Sequence, residues 1–219
     1  MKRLPVILTA ALFLLCFACG SANAQYLIGR WALGVDLGAN YWITDYNEYK
    51  VGFGGQVVAR YEIARYFGLG LAAGYEILQT NQSKPLNPGA YASYMKANAI
   101  PVSVVAFFHF YPRKSINPYV YVGAGMVMYQ RWGIGLRDPV DGAWHSSYVI
   151  PAGFGIESFF NNDVSLDASV GFTNTGNDVD ARATSSFKGY ATARIGLNFY
   201  LNSGPPHRPP APRPAPAGL

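Results

Sequence analysis

Cysteine is nearly missing from this chain of 219 residues: the only two, Cys16 and Cys19, fall within the first twenty. The remaining sequence therefore offers no disulfide, no thiolate metal site and no cysteine nucleophile. Histidine is almost as scarce, with three residues at positions 109, 145 and 207. That scatter argues against a metal site, and no metal is expected. Charged residues make up 13% of the chain, about half of the roughly 25% usual in a soluble domain. Beyond the N-terminus there is no apolar run of about 18 residues, and the mean hydropathy of +0.08 is too low for a multi-helix membrane protein. No Walker loop or strand-helix dinucleotide fingerprint is present, and no cofactor is expected. What the chain does have is aromatic residues (15%) and 24 glycines, a composition that excludes disorder for the bulk and points to a β-rich fold.

The N-terminus reads as an export leader spanning residues 1–24. Met1-Lys2-Arg3 supplies a positive start and Leu4 to Ala18 an apolar core, and Ala22-Asn23-Ala24 gives the small-x-small pattern for cleavage between Ala24 and Gln25. A lipoprotein-type site at Cys19, flanked by Ala18 and Gly20, is the alternative. Removing Lys2 and Arg3 takes the 17 basic residues to 15 against 12 acidic ones, a net of +3. So mild an excess on an exported chain does not suggest a nucleic-acid partner.

Eight segments then alternate with period two, which sends successive side chains to opposite faces of a strand. In the first, Trp31, Leu33, Val35, Leu37, Ala39 and Tyr41 form one apolar face against Ala32, Gly34, Asp36, Gly38 and Asn40. The pattern returns near residues 53–62, 67–77, 99–111, 119–131, 150–157, 164–172 and 190–201. The connections come in two classes: Ile63 to Tyr66, Pro112 to Pro118 and Phe159 to Asp163 are short. Ile43 to Lys50, Leu78 to Asn98, Trp132 to Ser147 and Asn174 to Ser186 are long. Short links at one end and long ones at the other are the turn and loop asymmetry of outer-membrane barrels. A closed barrel also pairs every backbone polar group within the bilayer. The fold expected is all-β, an eight-stranded antiparallel up-and-down transmembrane barrel over residues 25–202, with the short links and both ends of the barrel domain in the periplasm.

Trp31 and Trp42 bracket the first segment eleven residues apart. At about 3.3 Å per residue and a tilt near 40° this spans roughly 28 Å, close to the apolar band of about 25 Å, so the two indoles are expected in opposite interfacial girdles. Asp36, Arg60, Glu62, Glu76, Glu157, Asp167 and Arg194, with His109, fall on the inward parity. Packed inside so narrow a barrel they are expected to pair, because an isolated buried charge is very costly. A gate for water or small ions is the other use for them. His145 and Ser147 share a parity, and with Glu157 they have the composition of a hydrolytic triad. Glu157, however, lies about 33 Å of extended chain beyond Ser147, too far to orient His145.

The leader, the eight segments and the closing aromatic alternation together resemble the OmpA-like outer membrane β-barrel superfamily. The resemblance covers about four-fifths of the chain. It is carried most clearly by Asn117-Pro118-Tyr119-Val120-Tyr121-Val122-Gly123-Ala124-Gly125 and by Ala193-Arg194-Ile195-Gly196-Leu197-Asn198-Phe199-Tyr200. It implies the outer membrane of a Gram-negative bacterium, contact with its lipid, and a role as anchor, surface-contact protein or narrow pore. It also implies that the assembly machinery reads the closing strand, with Phe199 as terminal aromatic. Ser203 to Leu219 changes character: seven prolines, with His207, Arg208 and Arg213, favour polyproline II over a sheet. This Pro-rich segment (203–219) is expected to be a periplasmic tail that touches, at most, an envelope partner. The peptidoglycan-binding domain that follows such a linker in the superfamily's name-giving member is not expected here. The expected function is non-enzymatic, structural or surface-interacting. A narrow small-solute channel and a lipid A-modifying barrel enzyme remain the alternatives.

Overall fold

The structure, a computed structural model, describes residues 27–43, 49–80, 94–112, 114–134, 142–176 and 189–201. The expected leader with its cleavage point between Ala24 and Gln25, and the Pro-rich 203–219, lie outside the described residues. Eight strands follow one another: β1 (Trp31–Ile43), β2 (Tyr49–Ala64), β3 (Phe67–Thr80), β4 (Tyr94–His109), β5 (Ile116–Ile134), β6 (Trp144–Phe159), β7 (Val164–Thr175) and β8 (Gly189–Leu201). Each pairs antiparallel with its sequence neighbour, and β1 pairs with β8 from Trp31↔Leu201 to Ile43↔Gly189, closing the barrel. The all-β expectation holds.

Three links, 65–66, 110–115 and 160–163, lie at the end where Trp31 meets Leu201. The other four, 44–48, 81–93, 135–143 and 176–188, join strands at the opposite end. Several strands extend past the expected segments on that side: β4 begins at Tyr94 and β6 at Trp144. Ladder pairing depends on the backbone, so it continues where the apolar alternation stops.

Outward positions are apolar and exposed, among them Leu37, Phe53, Leu71, Met126 and Phe154. Inward positions are buried and fall into three layers. Leu27, Ala32, Phe159 and Tyr200 fill the short-link end, and Val58, Ala72, Val105, Phe107 and Tyr119 the middle. Trp42, Leu78, Val127, Tyr129, Val149 and Tyr190 fill the long-link end with Ala97 and Ala99. In so narrow a lumen, glycine makes room for some of the large rings. A Cβ on Gly155 would sit 2.5 Å from the Tyr119 ring, and one on Gly171 would lie against the Tyr121 hydroxyl. At the entrance to β1, Gly29 takes φ +77°, which L side chains rarely adopt. The turn it makes lets Arg30 N–H reach the Leu27 carbonyl at 3.1 Å and Gly29 N–H the Glu62 carbonyl at 2.8 Å.

Trp42 corrects one sequence expectation. It is 1% exposed and belongs to the lumen layer at the long-link end, whereas Trp31 is 48% exposed on the outside. The reason is parity: residues eleven apart on a regular strand face opposite sides. Trp42 therefore cannot belong to an interfacial girdle.

Candidate functional site in the barrel lumen

The seven charged residues of inward parity all line the lumen side, but they assemble as separate groups. The largest is near the short-link end. Arg60 Nε lies 2.6 Å from Glu62 Oε1, and Arg60 Nη2 lies 3.2 Å from Glu157 Oε2. The same nitrogen donates to the Tyr200 hydroxyl at 2.5 Å, which in turn donates to Glu157 Oε1 at 2.6 Å. Ser165 Oγ (2.5 Å) and Asn198 Nδ2 (2.9 Å) also donate to Glu157 Oε1. The Arg60 guanidinium further stacks over Phe107, 5.0 Å from its centroid. Four strands (β2, β6, β7 and β8) thus converge on one ion pair. Removing one partner from such a buried pair is strongly destabilising, on the order of 3–5 kcal/mol.

His109 joins this group through β4. Asn117 Oδ1 accepts the Tyr111 N–H at 3.2 Å, which leaves its Nδ2 to donate to His109 Nδ1 at 2.8 Å. That arrangement places the ring hydrogen on Nε2, which points at Glu62 Oε2 3.3 Å away.

Glu76 and Arg194 form a second group higher in the lumen, with Arg194 Nη2 2.5 Å from Glu76 Oε1 and Asn40 Nδ2 donating to Glu76 Oε2 at 2.7 Å. Asp36 and Asp167 take neutral partners: Gln56 Nε2 donates to Asp36 at 2.9 Å, and the Tyr119 hydroxyl to Asp167 at 2.7 Å. Between the groups is a cavity of about 50 Å³ lined by Asp36, Gln56, Arg60, Asp167, Arg194 and Asn198 among others. It has room for only a few water molecules.

Sequence reasoning missed the neutral members Tyr119, Tyr200, Asn117, Asn198 and Ser165, although they share the inward parity of the charges. It also missed Arg30, whose guanidinium donates to the Asn162 carbonyl (2.5 Å), Asp163 (2.6 Å) and the Tyr200 carbonyl (3.1 Å). Arg30 thereby ties the start of β1 to the β6–β7 link and the end of β8.

His145 and Ser147 stand on β6 rather than in a link, with His145 stacked on Tyr129 at 5.6 Å. Glu157 lies at the other end of that strand, held by Arg60. Among the described residues no group of three or more His, Cys, Asp or Glu is placed to hold a metal. Phe199, near the end of β8, points outward.

A closed eight-stranded barrel with an apolar exterior and an ion-paired interior defines a transmembrane β-barrel protein. Comparison with known proteins places it further. Residues 9–199 match the model of the outer membrane protein beta-barrel domain, and the chain belongs to that family. Its lipid-facing surface therefore lies in the outer membrane of a Gram-negative bacterium.

Solved structures share the fold at low identity. Neisserial surface protein A is 17% identical with a TM-score of 0.51, covering 77% of this chain and 96% of its own. OprG of Pseudomonas aeruginosa is 9% identical with a TM-score of 0.51 over 83% and 100%. Ail of Yersinia pestis, solved with the heparin analogue sucrose octasulfate, is 14% identical with a TM-score of 0.51 over 80% and 99%. No curated protein matches the sequence.

Proposed function

We propose that the chain is a non-enzymatic barrel that anchors its four longer connections at the cell surface, with the short links facing the periplasm. The observation that carries this reading is how densely side chains fill the lumen. Trp42, Leu78, Val127, Tyr129, Val149 and Tyr190 form an apolar layer at the long-link end, and Leu27, Phe159 and Tyr200 form another at the opposite end. The cavity between them, lined by Asp36, Arg60, Asp167 and Arg194 among others, measures about 50 Å³. A channel needs a continuous open path, and packing this dense around so small a space favours a barrel filled by side chains. The asymmetry of the links supports the orientation. The assembly machinery reads the closing strand β8, whose last outward-facing aromatic is Phe199, and the segment 203–219 is a periplasmic tail that touches, at most, an envelope partner.

Planar-bilayer recording of the purified protein tests the reading. No large, stable conductance is expected, and reproducible porin-sized steps would overturn it in favour of the channel. For the lipid A-modifying alternative, alanine at His145 or Ser147 should leave lipid A acylation in the host unchanged.

A further inference from the structure

The short-link rim is charged differently on its two sides. On the β6–β7 side, Asp163 and Arg30 neutralise each other at 2.6 Å. On the β2–β5 side, the links 65–66 and 110–115 contain no acidic residue. They are adjacent, since His109 N–H donates to the Tyr66 carbonyl at 2.9 Å.

Each link pairs a cation with a ring. The Arg65 guanidinium stacks 4.8 Å from the centroid of Tyr66, and Lys114 Nζ lies 4.7 Å from that of Tyr111. Both tyrosines and Phe110 are about half exposed. Arg65 Nε is buried without a hydrogen-bond acceptor. The lipid-facing apolar surface ends just beside them, at the Phe67–Phe108 ring pair (centroids 5.3 Å apart), two residues from Arg65. Phenol rings at the edge of an apolar belt favour the level of lipid headgroups. A cation stacked on such a ring is held at that level, where each basic residue attracts anionic lipid.

We propose that Arg65, Tyr66, Tyr111 and Lys114 form a seat for the headgroup of one anionic phospholipid of the inner leaflet. The two cations face its phosphate, the phenol hydroxyls supply further donors, and Phe67 and Phe108 adjoin the first acyl carbons. The leaflet rests on the orientation proposed above, while the affinity for an anionic phospholipid does not.

Native mass spectrometry of the full chain, released from micelles doped with phosphatidylglycerol or with phosphatidylcholine, tests the seat. One phosphatidylglycerol should be retained in preference to phosphatidylcholine. The double variant Arg65→Gln/Lys114→Gln should weaken that retention on the order of ten- to thirtyfold. Lys96→Gln, at the long-link end, should leave it unchanged, and the heat-modifiable gel shift should show both variants folded. Equal retention of the two lipids, undiminished phosphatidylglycerol in the double variant, or an equal loss with Lys96→Gln would overturn the proposal. Displacement by inorganic phosphate alone would overturn it as well. Inverted surface labelling with selective retention intact would reject the orientation and keep the seat.

Discussion

Arg60 and Glu157, ninety-seven residues apart in sequence, meet inside the barrel with 3.2 Å between Nη2 and Oε2. Their substitutions should differ in effect. Arg60→Gln leaves the Glu62 and Glu157 carboxylates without their shared cation and should destabilise the barrel by about 3–5 kcal/mol. Glu157→Gln keeps the Arg60–Glu62 pair and an acceptor oxygen, so a smaller loss of about 1–3 kcal/mol is expected. Urea unfolding followed by the heat-modifiable gel shift measures both; equal losses would show that Glu62 does not hold Arg60.

The two bracketing tryptophans should report opposite environments. In single-tryptophan variants, brominated lipid should quench Trp31 strongly and Trp42 weakly, because only Trp31 faces outward. Trp42→Ala empties a buried site and should cost about 3–5 kcal/mol. Strong quenching of Trp42 would return it to the membrane interface.

Gly155 makes room for Tyr119, which holds Asp167. Gly155→Val would push that ring away and strip the carboxylate of its donor, a loss of about 1–3 kcal/mol from overpacking alone. Tyr119→Phe, which keeps the ring and removes only the donor, separates the two contributions in the same unfolding assay. An unperturbed Gly155→Val would mean that the ring relocates freely.

Cysteine labelling on intact cells checks the orientation. Cysteines at Asn81 and Asn177, in the long connections, should react with an impermeant reagent, and one at Asn162 in the β6–β7 link should not. Labelling at Asn162 alone would invert the barrel.

Much of this fold was legible because a narrow barrel in lipid allows one kind of residue on each face. Leu33, Val35 and Leu37 had to face outward once Asp36 was placed inside. Trp42 was misassigned when residue type was followed instead of parity: tryptophan favours interfaces, yet position 42 shares the face of Asn40. The full strand lengths were less legible, since Tyr94 to Asn98 and Trp144 to Val149 pair by backbone where the apolar face fades. Pairing partners were the least legible. That Arg60 meets Glu157 depends on shear and register around the closed sheet, which no local pattern encodes. The neutral donors around Glu157 also look ordinary until that register is known.

The closing strand gives the sharpest test of the barrel boundary. Leu201 pairs with Trp31, Tyr200 with Ala32 and Phe199 with both Leu33 and Val164, so the last three residues of β8 complete the seam. Tyr200 contributes more than ladder bonds: its hydroxyl joins Arg60 to Glu157, its carbonyl accepts from Arg30, and its ring packs on Phe159 at 5.4 Å. Deleting Ser203 to Leu219 removes none of these contacts and should leave the heat-modifiable shift intact. Deleting from Phe199 onward opens the seam, strands the ion pair and should abolish the shift. Tyr200→Phe in the full chain distinguishes the causes: it retains the seam and the ring but loses both hydroxyl bonds, so it should fold with reduced urea resistance. Loss of folding on deletion of 203–219 alone would move the boundary of the barrel beyond Asn202.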